Sequence, residues 1–229
     1  MARLPYLSRE DLSEKDREIF DRLIEERKNP VGNIFRIVAH TPNLLRRFLA
    51  LGGELRNGTE LDPKLRELAL MTVGRLTHAE YEFTHHWNLA RQVGVPREQL
   101  EHLDEFETSP LFNEQERIVM RYAFEATMNV AVSDATFEAL RKSLGTRRLM
   151  EVVQNVAFYN MVARILVPLQ VESVPRAYDR ERDVSGVPAG RMRGQVLVVD
   201  PGRPGHEPVE RLRGRTPPPA ERGRPVRPP

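Results

Sequence analysis

The stretch that decides the fold is residues 66–94, RELALMTVGRLTHAEYEFTHHWNLARQVG. Its apolar residues recur with helical spacing, and the pattern predicts two consecutive amphipathic helices, Pro63 to Leu76 and Thr77 to Val93. In the first of these helices Glu67 lies among leucine, methionine and valine residues, where a buried carboxylate needs a partner. Glu67 is therefore the residue that ordinary core packing explains least.

The second predicted helix concentrates ionisable side chains on one side. Positions three, four, seven and eight residues apart share a face, so His78, Glu82, His85 and His86 are predicted to project in the same direction. The short connection between the helices favours antiparallel packing, which would bring Glu67 next to His86. A buried glutamate raises the pKa of a neighbouring imidazole and fixes its tautomer, as in a general acid or base that works near neutral pH.

Two other interpretations of these residues are open. In the first, Glu67 pairs with Arg66 or another arginine, and His86 is a satisfied residue of the core. In the second, the histidine face binds a metal, since Glu82-x-x-His85 is half of a carboxylate-bridged di-iron motif. The other half of that motif does not occur in the sequence. One helix alone cannot surround a tetrahedral ion, so no metal ligand is predicted.

The segment from Glu67 to Gly94 carries a recognisable pattern: a glutamate, a small apolar helix, Tyr-Glu, two residues, His-His, three residues, an alanine and then a glycine. This pattern resembles the carboxymuconolactone decarboxylase family and its relative, the alkylhydroperoxidase D family. In the peroxidase branch the matching helix carries a Cys-x-x-Cys pair and a histidine, with a relay glutamate one helix earlier. The cysteine positions fall on Ala79 and Glu82, whereas the relay glutamate and histidine fall on Glu67 and His86. The chain has no cysteine, so thiol peroxidase chemistry is excluded and the pattern is similar to the decarboxylase branch.

The resemblance implies an all-α bundle of the alkylhydroperoxidase D type and a cofactor-free carboxy-lyase. The implied reaction is decarboxylation of a carboxylated unsaturated lactone, or of a related small organic acid, through an enolate-type intermediate. Negative charge would build on the lactone carbonyl oxygen, and a carbon atom would then take up one proton. The expected catalytic residues are Glu67, Glu82 and His86, with His86 as proton donor or oxyanion partner.

The same resemblance implies a pocket between helices near subunit contacts. The residues expected to line it and to contact the substrate are Asn33, Phe35, Tyr81 and His85. A homo-oligomer, a trimer or a hexamer, is expected. The alternative function is a non-catalytic oligomeric protein that binds a small molecule on the same scaffold.

Helix signals also dominate the rest of residues 13–166, and no alternating strand pattern of useful length appears, which predicts an all-α body. Three helices are predicted to begin after capping residues, at Asp62, Asn113 and Ser133. Gly145 is predicted to stop the last of these helices. The last predicted helix, Thr146 to Leu166, is apolar over most of its circumference, which is typical of a central or interface helix. A predicted helix from Pro42 to Leu55 turns five side chains inward: Leu44, Leu45, Phe48, Leu49 and Leu51.

Composition divides the 229-residue chain near residue 187. Residues 188–229 contain ten prolines, nine arginines, four acidic residues and no aromatic residue. Such a segment cannot bury enough apolar surface to offset its ordering entropy. We therefore predict a helical N-terminal extension packed on the core at 1–60, a decarboxylase-like core at 61–172, a linker at 173–187 and a disordered tail at 188–229.

Charge and hydropathy limit the classes of partner that we expect. The arginines of the tail are not interleaved with aromatic residues that stack on bases, so no nucleic-acid partner is expected. No apolar run in the sequence is expected to reach the roughly 18 to 20 residues that span a bilayer, and the N-terminus lacks the apolar core of a signal peptide. We therefore expect a cytoplasmic protein without a membrane partner. The family resemblance implies that its ligand is a small carboxylated molecule.

Overall fold

The computed structural model describes residues 2–27 and 30–173 of the protein. Within these ranges the regular elements are helices and no strand occurs, so the all-α prediction is confirmed. The predicted tail, and the predicted linker from residue 174 onward, lie outside the described residues. The α-helices of the described part are, in chain order, α1 Glu18–Arg27, α2 Asn33–Val38, α3 Pro42–Asn57, α4 Pro63–Leu76, α5 Glu80–Gln92, α6 Arg97–Glu101, α7 Glu114–Asn129 and α8 Asp134–Leu169.

Capping side chains begin three of these helices where the sequence predicts them. Asp62 accepts a backbone N–H from the first turn of α4. Asn113 and Glu116 form a reciprocal capping box at the start of α7, and Ser133 accepts the N–H of Thr136 at the start of α8. Each cap satisfies backbone donors that a helix leaves unpaired at its first turn, which is why these starts can be predicted from local sequence.

α4 is the central helix of the bundle and packs against α5, α7 and α8. One of its sides buries Leu65, Ala69 and Val73 against α7 and α8. The opposite side buries Leu68 and Met71 against α5, α6 and the segment that follows them. Because α4 is covered on both sides, a polar residue on it needs a hydrogen-bond or ion-pair partner to stay buried.

α4 and α5 form the predicted antiparallel hairpin, with one difference in the connection. α5 begins at Glu80 rather than at Thr77, and His78 adopts a left-handed conformation with φ of 54°. His78 is therefore an exposed residue of the turn, and its predicted place on the polar face of the helix was wrong. The two helices come close at Gly74, where a Cβ atom would lie 3.3 Å from the backbone nitrogen of Phe83.

α8 contains the break that the sequence predicts at Gly145. This residue has φ of 74° and ψ of 169°, a conformation that glycine adopts at little cost, and it interrupts the helical geometry between the two predicted helices. The second part runs to Leu169, slightly beyond the predicted end at Leu166. Its side chains connect two apolar clusters, one with α4 and α7 and one with the N-terminal helices.

α8 also corrects the expectation about apolar runs. Asp134–Leu169 contains an 18-residue window with a mean hydropathy of 1.3, so this helix is long and apolar enough to cross a membrane by composition. The central helix of a bundle meets the same criteria, because it is surrounded by other helices. α8 buries Val152, Val156 and Val162 against such neighbours.

The N-terminal helices α1 to α3 cover the second part of α8. Phe20, Leu23 and Leu45 are buried in one cluster with Phe158 and Val162. This cluster forms the wall of the site described below. The N-terminal segment is therefore packed against the bundle through α8.

The predicted inward face of α3 is correct for Leu45 and wrong for two other leucines. Leu44 is 64% exposed and Leu51 is 49% exposed. These residues are seven positions apart and share a face, so the helix register that buries Leu45 turns them outward together.

Candidate active site

α4 and α5 place Glu67 and His86 in contact between them. Oε2 of Glu67 lies 2.6 Å from Nδ1 of His86, and the two side chains are 2% and 1% exposed. Residues far apart in sequence meet here because consecutive antiparallel helices share one interface. Nδ1 donates to the carboxylate, so the orientation of the ring is fixed and Nε2 points away from Glu67.

The second oxygen of Glu67 faces an arginine. Nε of Arg66 lies 3.2 Å from Oε1 of Glu67, and a terminal nitrogen of Arg66 donates to the carbonyl oxygen of Arg56 at 2.8 Å. The carboxylate is thus shared between a guanidinium and an imidazole. Charge-assisted hydrogen bonds to both oxygens keep a buried carboxylate ionised.

Nε2 of His86 is buried without a hydrogen-bond partner. Oε2 of Glu82, one helical turn earlier, lies 3.1 Å from Nε2. This distance would allow a hydrogen bond, but the angles between the two groups do not. Glu82 therefore supports a positive charge on the ring while leaving the Nε2 proton without an acceptor. A buried donor in this state costs on the order of 1–3 kcal/mol, which a ligand that accepts the bond would recover.

Electrostatics favour an ion pair between Glu67 and His86. Burial opposes a charge on the imidazole, but Tyr159, the charge of Glu67, its hydrogen bond to Nδ1 and the nearby carboxylate of Glu82 outweigh it, and the pKa of His86 lies well above its usual 6.5. Burial likewise opposes a charge on Glu67, yet His86 and the nearby guanidinium groups hold the pKa of this carboxyl below its usual range. His86 is consequently protonated at neutral pH.

His86 lines a cavity of about 50 Å³ enclosed by α2, α3, α5 and α8. The imidazole meets the ring of Tyr159 edge to face, with centroids 4.7 Å apart and an interplanar angle of 89°. Apolar side chains form most of the remaining wall: Ile34, Phe48, Leu49, Phe158 and Val162. An apolar, partly closed space strengthens the charge interactions at its polar end.

Three of the four predicted substrate contacts lie at this cavity. Phe35, Tyr81 and His85 belong to its lining, together with Glu82. Asn33 does not line it, because its side-chain amide donates to the carbonyl oxygen of Glu172 at 2.9 Å. This bond ties the start of α2 to the segment after α8, so Asn33 holds the wall in place instead of facing the cavity.

The structure does not place the side chains of the metal interpretation on one face. His78 lies on the exposed turn before α5 and is not next to His86. Among the residues that the structure describes, no group of three histidine or acidic side chains has a metal-binding arrangement.

Arg56 and Tyr159 also line the cavity and were not among the predicted site residues. Arg75 of α4 is not part of this lining and pairs with Asp104 at 2.7 Å. The available signal for Arg56 was a basic residue on an otherwise amphipathic helix just after two glycines. That signal is weak without knowledge of which helix faces the site.

One protein family matches the part of the chain that carries the Glu67–His86 pair of side chains. Residues 42–125 match the model of the carboxymuconolactone decarboxylase family. Over this segment the chain is similar to that family. The segment includes α4 and α5, and so the Glu67–His86 pair, and it also includes Arg56. No protein of curated function matches the chain in sequence.

Solved structures share the alkylhydroperoxidase D fold. An uncharacterised peroxidase-related protein with an alkylhydroperoxidase D core from Ralstonia eutropha JMP134 is 18% identical, with a TM-score of 0.68 over 78% of this chain and 95% of that chain. A peroxidase-related protein from Silicibacter sp. TM1040 is 20% identical, with a TM-score of 0.67 over 79% and 94%. A Cys-to-Ala variant of the debrominase Bmp8 in complex with 2,3,4-tribromopyrrole is 19% identical, with a TM-score of 0.65 over 79% and 97%.

Proposed function

We propose that the protein is a carboxymuconolactone decarboxylase-like lyase that removes carbon dioxide from a small carboxylated unsaturated lactone or a related organic acid. The observation that carries this proposal is the buried Glu67–His86 ion pair, whose Nε2 has no acceptor and lies at an apolar cavity. A protonated imidazole with a free N–H in a partly closed site is suited to deliver one proton. The match of residues 42–125 to the carboxymuconolactone decarboxylase family supports the same choice of reaction.

The proposed chemistry uses the residues of the chain in two steps. In the first step the bond between carbon and the carboxylate breaks, carbon dioxide leaves, and the electron pair moves through the unsaturated system to the lactone carbonyl oxygen. Arg56 and Tyr159 are placed to stabilise that oxyanion, since both line the cavity beside His86. In the second step Nε2 of His86 transfers its proton to the carbanionic carbon, and water later restores the proton.

Glu67 and Glu82 have different parts in this scheme. Glu67 orients the ring through Nδ1 and holds the pKa of His86 high, so it acts as a positioning residue. Glu82 lies at the lining of the cavity, close to Nε2, where it can relay a proton between water and the imidazole. Phe35, Tyr81 and His85 are proposed to contact the substrate.

We also propose a homo-oligomer, a trimer or a hexamer, in a cytoplasmic setting. The exposed leucines of α3, Leu44 and Leu51, give the described part of the chain an apolar outer face. Light scattering at micromolar concentration would give a mass of three or six chains. A stable monomer would contradict this part of the proposal.

The function is tested by screening carboxylated unsaturated lactones and β-keto acids for release of carbon dioxide. In D2O, turnover by the proposed route places one deuterium on the carbon next to the carbonyl group, where the enolate takes up its proton. Release without deuterium at that carbon would exclude proton delivery to it. A compound that binds at the cavity and is never decarboxylated would instead support a non-catalytic binding protein.

A further inference from the structure

A second cavity, of about 440 Å³, lies in the groove between α1 and α3. Its lining shares Leu49, Gly52 and Arg56 with the His86 cavity, so the two spaces meet at one face of α3. The His86 cavity, at about 50 Å³, is much smaller than the roughly 150 Å³ that holds a benzene ring in a protein core. It has room for the reacting group of an organic acid and not for a larger remainder.

Arg56 stands where the two cavities meet, and its charge is maintained there. Burial opposes the charge of the guanidinium, but Tyr159 and the carboxylates of Glu67 and Glu82 more than compensate and raise the pKa of Arg56 above its usual value. Arg56 is therefore a fixed cation at the junction.

The charged side chains around the junction have a net charge of +1. Arg66 and His86 already engage Glu67, and His86 also lies beside Glu82. With His86 protonated, the group that includes Arg56 has three cations and two anions. A ligand with one anionic oxygen at Arg56 would neutralise the cluster.

Two glycines in the middle of α3 have different explanations. At Gly52 a Cβ atom would lie 3.2 Å from the ring of Phe158, so close packing of α3 on α8 favours glycine. At Gly53 no atom lies within 4 Å of an added Cβ, and the residue does not have a positive φ. Glycine inside a helix is unfavourable relative to alanine, and Gly53 lines the groove. Its missing side chain keeps the groove open.

We propose that the ligand binds in two parts. Its reacting end enters the His86 cavity and presents an anionic oxygen to Arg56, while the remainder of the molecule lies in the groove between α1 and α3, over Gly53. The inference rests on the proposed function for the nature of the reacting end. It adds a second binding region and a minimum size, an organic acid longer than three carbons.

The test compares a three-carbon acid, acrylate, with a six-carbon acid, sorbate, each against its uncharged amide. Dissociation constants are measured on the full chain by NMR titration of the histidine ring signals, with those of His86 identified by their loss in His86→Ala. Sorbate should bind about tenfold or more tighter than acrylate, because its additional carbons are buried in the groove. Both acids should bind tighter than their amides and should shift the His86 signals.

Two variants assign the two parts of the site. Gly53→Phe fills the groove and should abolish the advantage of sorbate while leaving acrylate binding within about twofold. Arg56→Met should abolish the preference for acid over amide. The matched controls are Asn43→Phe and Arg47→Met, at exposed positions of the same helix outside both cavities, and both should bind as the wild type does.

Retention of the sorbate advantage in a folded Gly53→Phe protein would overturn the groove assignment, and so would absence of any shift at His86. If circular dichroism shows that this variant is unfolded, Ala50→Phe, at an exposed position in the same groove, makes the same test. An unchanged acid preference in Arg56→Met would overturn the role of Arg56. If both acids bind as expected and no carboxylated lactone releases carbon dioxide, the decarboxylase proposal fails while the two-part site stands.

Discussion

Two buried glutamates of this protein invite comparison. Glu125 on α7 is 2% exposed and accepts hydrogen bonds from the backbone N–H of Ser133 at 2.6 Å and the hydroxyl of Thr136 at 2.6 Å. Glu67 on α4 is 1% exposed, but its partner His86 keeps Nε2 unsatisfied at a cavity. Burial and pairing are common to both sites, so what marks the candidate active site is the polar atom left open to a ligand.

The largest expected effect is a loss of activity, which substitutions at the Glu67–His86 site should cause and substitutions at Glu125 should not. Once a substrate has been found, His86→Ala and Glu67→Gln should each lower kcat/KM by about 100-fold or more, because proton delivery is lost or mistuned. The double variant should be much less impaired than the product of the two singles, since the residues act as a unit. The control is His78→Asn on the exposed turn, where asparagine tolerates a positive φ. Normal turnover by His86→Ala would refute the assignment.

At Glu125, in contrast, we expect a substitution to lower the stability of the protein and to leave its activity unchanged. Glu125→Ala leaves the N–H of Ser133 and the hydroxyl of Thr136 without their acceptor, so we expect a loss of about 2 to 3 kcal/mol in the free energy of unfolding. Activity of the folded protein should be unchanged. Glu114→Ala, at an exposed position in the first turn of the same helix, is the matched control for urea denaturation. A loss below about 0.5 kcal/mol would remove the structural role of Glu125.

The pH dependence of activity sharpens the comparison at Glu67. The pKa of His86 is raised above 6.5, so activity that needs the protonated ring should persist at neutral pH and fall only as pH rises through that raised pKa. In Glu67→Gln the carboxylate no longer offsets burial, and the alkaline limit of kcat/KM should move down by about one pH unit or more. An unmoved limit would mean that another group titrates in the profile.

The same shifts set the pH window of stability. His86, with its pKa raised, contributes fully below 6.5 and loses its contribution as pH rises through the folded pKa. Glu67, with its pKa lowered, contributes above 4.5 and loses its contribution as pH falls through the folded pKa. The pair therefore stabilises the protein most between these two pH values, and Glu67→Gln should lose that maximum in urea melts.

The smallest effect concerns the groove. Gly53→Ala should raise the free energy of unfolding by about 0.5 to 1 kcal/mol, because alanine restricts the unfolded chain and nothing crowds its Cβ. Gly52→Ala is the matched control and should not gain, since its Cβ would lie 3.2 Å from Phe158. Thermal melts of the two variants give the comparison, and equal gains would show that packing at Gly52 is not tight.

Features set by neighbours in sequence could be predicted. The hairpin of α4 and α5, the caps at Asp62 and Asn113, and the break at Gly145 depend on a few adjacent residues. The start of α5 could not be predicted to the residue, because the polar spacing continues through the turn and the left-handed conformation of His78 has no strong signal.

The residues of the candidate site also fall into those that could be predicted from the sequence and those that could not. Glu67 and His86 lie on consecutive helices, so a short connection was enough to pair them. Arg56 and Tyr159 reach the cavity from α3 and α8, whose approach depends on long-range packing. The leucines of α3 form one continuous apolar stripe that includes Leu44, so periodicity could not show that Leu44 faces outward. It could not show which residues of α3 line the cavity either.

The wall of the cavity also has an evolutionary consequence. The acid–base pair lies within the family segment at residues 42–125, whereas Ile34 and Phe35 of the wall precede this segment and Phe158 and Val162 follow it. Sequence drift or recombination in these flanking parts could therefore reshape what the cavity accepts while the Glu67–His86 pair stays intact. A constant helical hairpin with exchangeable walls would let one scaffold diversify toward many ligands.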